Sequence, residues 1–190
     1  MTLVAFSNVD RSALRWLRTQ DAPAGFSLLS GEQEVGSVAF VRSAGSLAVA
    51  RSAERAWTLK RAGFLAPGVV VRQENGLETV AHLSAHLRRH DISMQGGLSY
   101  SLRRSGHLPP AWKVSGDRGE EVLHIEPVAE GRHLRAGAVL VSSRRDAPEL
   151  LLLNLIAWYF VVLTWFEDEA LETLTPFEGP DPPVRADGAR

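Results

Sequence analysis

The 17 residues from Leu150 to Phe166 carry no charge and are almost all apolar, and they constrain the fold more than any other feature of the chain. Pro148 and Glu149 stand just before them, and proline and acidic residues are both favoured at the start of a helix. The helix would be apolar on every side, so it belongs either in a protein core or in a membrane. It would be about 25 Å long, and a bilayer span usually takes about 20 residues. Length alone leaves both placements open.

Between Gly25 and about Ser142 the pattern changes to short apolar runs separated by turn residues, which is typical of an antiparallel sandwich or barrel. Asn75-Gly76 is the clearest turn, because this dipeptide readily adopts the two positive φ angles of a type I′ hairpin. We therefore expect residues 69–73 and 77–87 to pair antiparallel. The predicted strands cover residues 26–29, 34–41, 46–51, 55–61, 69–73, 77–87, 90–94, 97–103, 112–114, 121–126 and 133–142.

The two ends of the chain differ from this central region. Apolar residues at helical spacing, from Val9 to Leu17, predict a short amphipathic helix over residues 7–20, so residues 1–24 would form an N-terminal helix and its lead-in. The first residues lack the features of a secretory signal, which favours a cytoplasmic protein that could lie at the membrane periphery. Residues 168–190 contain four prolines and an excess of acids, which predicts a disordered acidic tail.

The number of strands favours a core position for the apolar helix, which we predict over residues 149–167. Side chains can fill a barrel of about eight strands, and about 16 or more strands leave a channel, so a barrel of about eleven or twelve strands has a lumen that must be filled. The sequence therefore predicts a mainly β protein, a closed antiparallel barrel over residues 25–166 around a central hydrophobic C-terminal helix. Its polar residues Asn154, Tyr159 and Thr164 would each need a hydrogen-bond partner on the barrel wall.

The alternative is a tail-anchored membrane protein with a cytoplasmic β-domain. Arg144 and Arg145 lie before the apolar stretch and acidic residues follow it, and this charge order would keep the β-domain in the cytoplasm. Asn154 would add a small cost in lipid. The sequence alone therefore leaves two placements of the apolar helix open, a membrane anchor and the centre of the barrel.

Several aromatic landmarks accompany this order of elements. They lie in the segments Trp57-Thr58-Leu59-Lys60-Arg61, Gly97-Leu98-Ser99-Tyr100-Ser101-Leu102, Ala111-Trp112-Lys113-Val114 and Trp158-Tyr159. Over about residues 26–166 the chain resembles the tubby C-terminal-like superfamily, which includes tubby proteins, phospholipid scramblases and the LURP-one-related proteins, and in particular its small single-domain bacterial members. The resemblance implies a closed barrel of twelve strands threaded by the helix. It also implies a non-catalytic binding or scaffolding role, with an anionic phospholipid headgroup as the expected ligand. No residue can be matched to a phosphoinositide site of the family.

Three histidines, His82, His86 and His90, recur at intervals of four. On a helix they could share one zinc ion. On a strand, four residues span roughly 13 Å, too far for one ion about 2 Å from each nitrogen. The alternation of apolar and polar residues around them favours a strand with solvent-exposed imidazoles. A histidine-based metal-dependent enzyme is thus a weaker alternative function.

Other signatures of catalysis are missing from the sequence. It has no cysteine, no Gly-x-Ser-x-Gly elbow, no phosphate-binding loop and no dinucleotide fingerprint. We expect no cofactor and a non-catalytic role. The acidic clusters Glu120-Glu121 and Glu167-Asp168-Glu169 are interpreted as solvated surface.

Four basic doublets remain, Lys60-Arg61, Arg88-Arg89, Arg103-Arg104 and Arg144-Arg145, and three of them lie at or near predicted strand ends, so several could meet at one rim of the barrel. Of the four, Lys60-Arg61 and Arg103-Arg104 are the candidate ligand-binding doublets. Clustered guanidinium groups bind phosphate and are attracted to anionic lipid surfaces. The competing interpretation is a compositional bias, because the chain has 19 arginines and two lysines. Residues 1–166 carry a net charge of +4 and the whole chain −1, so we expect no nucleic-acid binding.

Overall fold

Twelve antiparallel strands form a closed barrel around one long helix in the part of the chain that the structure describes. The structure is a computed structural model, and it describes residues 2–19, 24–42, 45–63, 68–85, 89–106, 109–131, 133–142 and 147–174. The strands are β1 Leu14–Thr19, β2 Gly25–Ser30, β3 Gln33–Phe40, β4 Ala48–Ser52, β5 Ala56–Ala62, β6 Gly68–Gln73, β7 Thr79–Ala85, β8 His90–Met94, β9 Ser99–Ser105, β10 Ala111–Gly116, β11 Glu121–Glu130 and β12 His133–Val141, followed by the helix α1 Ala147–Leu174.

Each strand pairs with its neighbours in sequence, and β1 closes the barrel by pairing with β12 from Leu14↔Val139 to Leu17↔Ala136. All odd-numbered strands therefore run in one direction and all even-numbered strands in the other. The helix enters at the end where even-numbered strands finish, here named the entry mouth. It leaves at the exit mouth, where odd-numbered strands finish. The exit mouth is formed by Thr19, Phe40, Ala62, Ala85, Ser105 and Glu130, and the entry mouth by Ser30, Ser52, Gln73, Met94, Gly116 and Val141.

The helix fills the barrel, which confirms the predicted architecture. Every residue from Leu150 to Leu163 is at most 8% exposed. The barrel wall surrounds α1 on all sides, and burying one large apolar side chain contributes about 1.5–3 kcal/mol. By length and composition, Glu149–Asp168 could also cross a membrane, and 78% of its most apolar window is buried inside the barrel. A membrane anchor would need these same side chains outside the barrel.

A tryptophan pair fixes the position of α1 against the wall. The ring of Trp158 stacks on Trp16 with 5.2 Å between centroids, and it forms a T-shaped pair with Phe26 at a centroid distance of 5.3 Å. Gly137 makes room for this ring, because a Cβ there would lie 2.4 Å from Cζ3 of Trp158. The indole Nε1 of Trp16 donates a hydrogen bond to Oδ1 of Asn154 at 3.1 Å.

Two of the three polar residues of α1 meet the wall as predicted. Asn154 accepts the Trp16 hydrogen bond, and the Tyr159 hydroxyl donates to the carbonyl oxygen of Ser46. Burial raises the pKa of Tyr159 above its ordinary value. The prediction was wrong for Thr164, whose hydroxyl bonds the carbonyl of Phe160, one turn back in α1, at 2.9 Å.

The predicted N-terminal helix was wrong. Residues 14–19 form β1, a strand that was not predicted, and among the described residues before it the helical part is one 3-10 turn over Phe6–Asn8. Leu14 and Trp16 alternate into the core, and β1 pairs with a strand on each side. Those tertiary interactions outweigh the local helical spacing. The barrel proper thus begins at residue 14, and the eleven predicted strands are all present with ends within four residues of those predicted.

Two boundaries also differ from the sequence prediction. The helix continues to Leu174, so residues 168–174 are helical, and the rest of the predicted disordered tail lies outside the described residues. Pro176 is the first proline after α1, and a proline disfavours helical backbone at the residue before it. The turn at Asn75-Gly76 does join β6 to β7, but neither residue has a positive φ. The backbone nitrogen of Gly76 donates a hydrogen bond to the carbonyl oxygen of Gln73. Because a type I′ turn needs positive φ at both central residues, the five-residue loop 74–78 is not built on one.

Candidate functional site

The two basic doublets reach the exit mouth, and strand geometry separates the members of each. Successive side chains on a strand point to opposite faces. Trp57 and Leu59 of β5 are buried in the barrel, so Arg61 follows them on the inner face and Lys60 lies exposed on the outer face. Both doublets thus lie near the same rim of the barrel, and only one member of each faces the helix.

The second doublet follows the same rule on β9. Tyr100 and Leu102 are buried, and the inner-face parity continues to Arg104, whereas Arg103 lies on the outer face. Arg61 and Arg104 thus stand on two different strands of the same mouth, both directed towards the end of α1.

Two acidic residues of α1 pair with these arginines where the helix leaves the barrel. Arg61 forms an ion pair with Glu167, and Nη1 of Arg104 lies 3.2 Å from Oδ2 of Asp168. The four side chains are 39–55% exposed, and exposed ion pairs contribute about 0–1 kcal/mol each. The acids were predicted to be solvated surface, and Glu167 and Asp168 are 42% and 55% exposed while they also pair with these arginines. The side chain of Glu169 lies outside the described part of the chain.

Arg103 is the first of a row of polar side chains on the outer face of the barrel, and the row crosses β9, β10 and β11. It lies opposite Lys113 of β10, which lies opposite His124 of β11. Nζ of Lys113 is 3.0 Å from Glu121, and Nε2 of His124 is 3.2 Å from Glu126. The row depends on the register of three strands, so it could not be predicted from the sequence.

The candidate metal-binding histidines do not form one site. His82 is exposed on the outer face, with its Nδ1 3.4 Å from Oγ of Ser84. His90 faces inwards, where its ring lies 4.3 Å from that of Phe160. The barrel wall separates these two imidazoles, so they cannot hold one ion together. His86 lies outside the described residues, and within the described ranges no group of three or more His, Asp or Glu residues could hold a metal ion.

Comparisons with known protein families, with curated proteins and with solved structures found no match to this chain. The resemblance to the tubby C-terminal-like superfamily therefore stays a prediction, resting on element order and on the aromatic landmarks. The twelve-stranded barrel around a helix stands on the structure itself.

Proposed function

We propose that the protein is a non-catalytic binding module that recognises an anionic phospholipid headgroup at its exit mouth. The observation that carries the proposal is the pairing of Arg61 and Arg104, from two separate strands, with two carboxylates at that mouth. Guanidinium groups bind carboxylate and phosphate oxygens through the same charge-assisted hydrogen bonds. Two positions that hold acids of α1 thus have the chemistry to hold phosphate oxygens.

In this proposal the carboxylates of Glu167 and Asp168 are internal occupants: they hold the phosphate-binding positions on Arg61 and Arg104 when no lipid is bound. An incoming phosphate would have to displace their carboxylates from the two arginines. The exchange is feasible because exposed ion pairs of this kind are weak, about 0–1 kcal/mol each. The headgroup phosphate gains similar bonds from the same guanidinium groups, so the net free energy of exchange is small.

The outer-face members of the doublets add long-range attraction. Lys60 and Arg103 are exposed and lie close to the same rim as Arg61 and Arg104. A basic residue near an anionic membrane surface contributes about 1 kcal/mol. All four candidate residues therefore favour the approach of the exit mouth to an anionic surface.

Sedimentation with lipid vesicles tests the proposal. Vesicles of phosphatidylcholine alone are compared with vesicles that also contain phosphatidylserine, at low salt. Removing two charges with Arg61→Gln/Arg104→Gln should weaken binding to the anionic vesicles by about tenfold or more. The double variant should keep the melting temperature of the wild type, since the lost ion pairs are exposed.

Arg51→Gln is the matched control. Arg51 also forms an exposed ion pair, with Glu74 at 2.9 Å, but it lies near the entry mouth. Binding should be unchanged in this variant. If the wild type binds both kinds of vesicle equally, or if the two arginine variants behave alike, the exit mouth is not the recognition site.

A further inference from the structure

The outer wall of the barrel exposes apolar side chains on two neighbouring strands. Six large apolar side chains are exposed among the described residues, and four of them lie in connections between strands. Val128 and Leu140 are the exceptions, because they lie within β11 and β12 and are 52% and 54% exposed. Single exposed apolar residues are common on protein surfaces, whereas grouped ones mark interaction surfaces. The outer wall around β11 and β12 is therefore a candidate for such a surface.

The strand register joins these two residues in one apolar stripe. Ala136, Ala138 and Leu140 alternate along the outer face of β12. Val128 of β11 lies opposite Ala136 on one side, and Leu17 of β1 lies opposite it on the other. The stripe is thus centred on β12 and has one apolar side chain on each flank.

Two opposite charges flank the middle of the stripe. Glu126 of β11 and Arg15 of β1 both lie opposite Ala138, one on each side, and both side chains are exposed. Glu126 lies 3.2 Å from Nε2 of His124. Arg15 donates one hydrogen bond, to the carbonyl oxygen of Gly31 at 3.2 Å. A carboxylate accepts through two oxygens and a guanidinium has five N–H donors, so both groups keep capacity for a further partner.

The stripe and its two flanking charges, together named the β12 face, are self-complementary about a two-fold axis along β12. In a face-to-face dimer with this axis, each residue of β11 meets the residue of the second copy's β1 that lies in the same row. Glu126 would then meet Arg15 of the second copy, and Val128 would meet Leu17. Leu140 lies on the axis and would meet its own counterpart. Every residue of these three strands is described, so no undescribed charge lies among them.

We propose that two copies of the chain associate through the β12 face as a two-fold symmetric dimer. The apolar stripe supplies the buried surface, and the two Glu126–Arg15 contacts fix the alignment of the copies. Arg135, at the exit-mouth end of β12, would approach its own counterpart, but Glu130 lies 3.2 Å away and balances its charge. The proposal is independent of headgroup recognition, because the β12 face lies on the outer wall and leaves both mouths open.

Sedimentation velocity of the full chain over a concentration series at low salt tests the dimer. We expect a monomer–dimer equilibrium for the wild type. Leu140→Glu places two carboxylates against each other on the axis and should weaken association by about tenfold or more. Leu77→Glu is the matched control and should change nothing, because Leu77 is 93% exposed in the connection between β6 and β7. A wild type that stays monomeric throughout the series overturns the proposal, even if its binding to lipid vesicles depends on Leu140.

Charge reversal tests the position of the two-fold axis. Arg15→Glu and Glu126→Arg each bring like charges together twice in the dimer, so each alone should weaken association by about tenfold. The combined variant Arg15→Glu/Glu126→Arg restores opposite charges at both contacts and should return the association constant to within a few-fold of the wild type. A loss of folding cannot imitate this rescue, and circular dichroism of each variant verifies the fold. Additive weakening in the combined variant, or unchanged association in both single variants, would overturn the proposal.

Discussion

Replacing Gly137 by alanine should destabilise the barrel strongly, although it adds a single methyl group. The new Cβ would lie 2.4 Å from Cζ3 and 2.6 Å from Cη2 of Trp158. Ordinary contacts of this kind start near 3.4 Å, so the ring or the strand must move by about 1 Å. The ring has little freedom to move, because it stacks on Trp16 and packs against Phe26 in a T-shaped pair.

The expected loss lies at the upper end of the range for overpacked cores, about 3 kcal/mol of unfolding free energy. For a domain of this size that corresponds to a drop in melting temperature of roughly 6–12 °C. Urea denaturation followed by circular dichroism measures it. Gly76→Ala is the control, because its Cβ would come no closer than 3.5 Å to another atom and its φ is not positive. The control should change stability by less than about 1 kcal/mol.

A double-mutant cycle identifies the cause. Trp158→Phe removes the far end of the ring, and it loses no hydrogen bond within the described structure because the buried Nε1 of Trp158 has no partner there. Gly137→Ala should then cost at least about 1 kcal/mol less when combined with Trp158→Phe than it costs in the wild type. A neutral Gly137→Ala, or strictly additive effects, would refute the contact between this strand and the tryptophan.

Three further predictions concern α1. Tyr159→Phe should lose about 1 kcal/mol at neutral pH with its hydrogen bond to Ser46. Because burial raises the pKa of Tyr159 in the folded state, wild-type stability should fall as the pH rises above about 10, and the variant should show a shallower fall in alkaline denaturation. Leu155→Asp should abolish folding, since Leu155 is fully buried and an unpaired buried charge costs several kcal/mol; a soluble, folded variant by circular dichroism would argue for a membrane anchor instead. Deleting residues 176–190 should leave the melting temperature unchanged, because the prolines and acids of that segment predict a disordered tail, and a large loss would reveal docking of the deleted residues.

The sequence predicted the architecture well because the two signals that define it are local. Alternating short runs give strands, and an all-round apolar stretch gives an enclosed helix. The missed strand, β1, has apolar spacing that also suits a helix, and only its pairing with β12 and β2 decides between them.

The exit mouth could be predicted in part. The two doublets were identified, and the parity that turns Arg61 inwards could be read from Trp57 and Leu59 on the same strand. Their partners could not be predicted, because Arg61 and Glu167 are 106 residues apart in sequence and meet only when the helix has passed through the barrel.

The most direct test of recognition at the exit mouth is the affinity of Glu167→Gln/Asp168→Asn for phosphatidylserine-containing vesicles. These substitutions remove the internal occupants of Arg61 and Arg104 and leave both arginines in place. We expect the variant to bind about tenfold more tightly than the wild type, opposite in sign to the arginine double variant. Unchanged or weaker binding would contradict the role of these acids as competitors for the headgroup site.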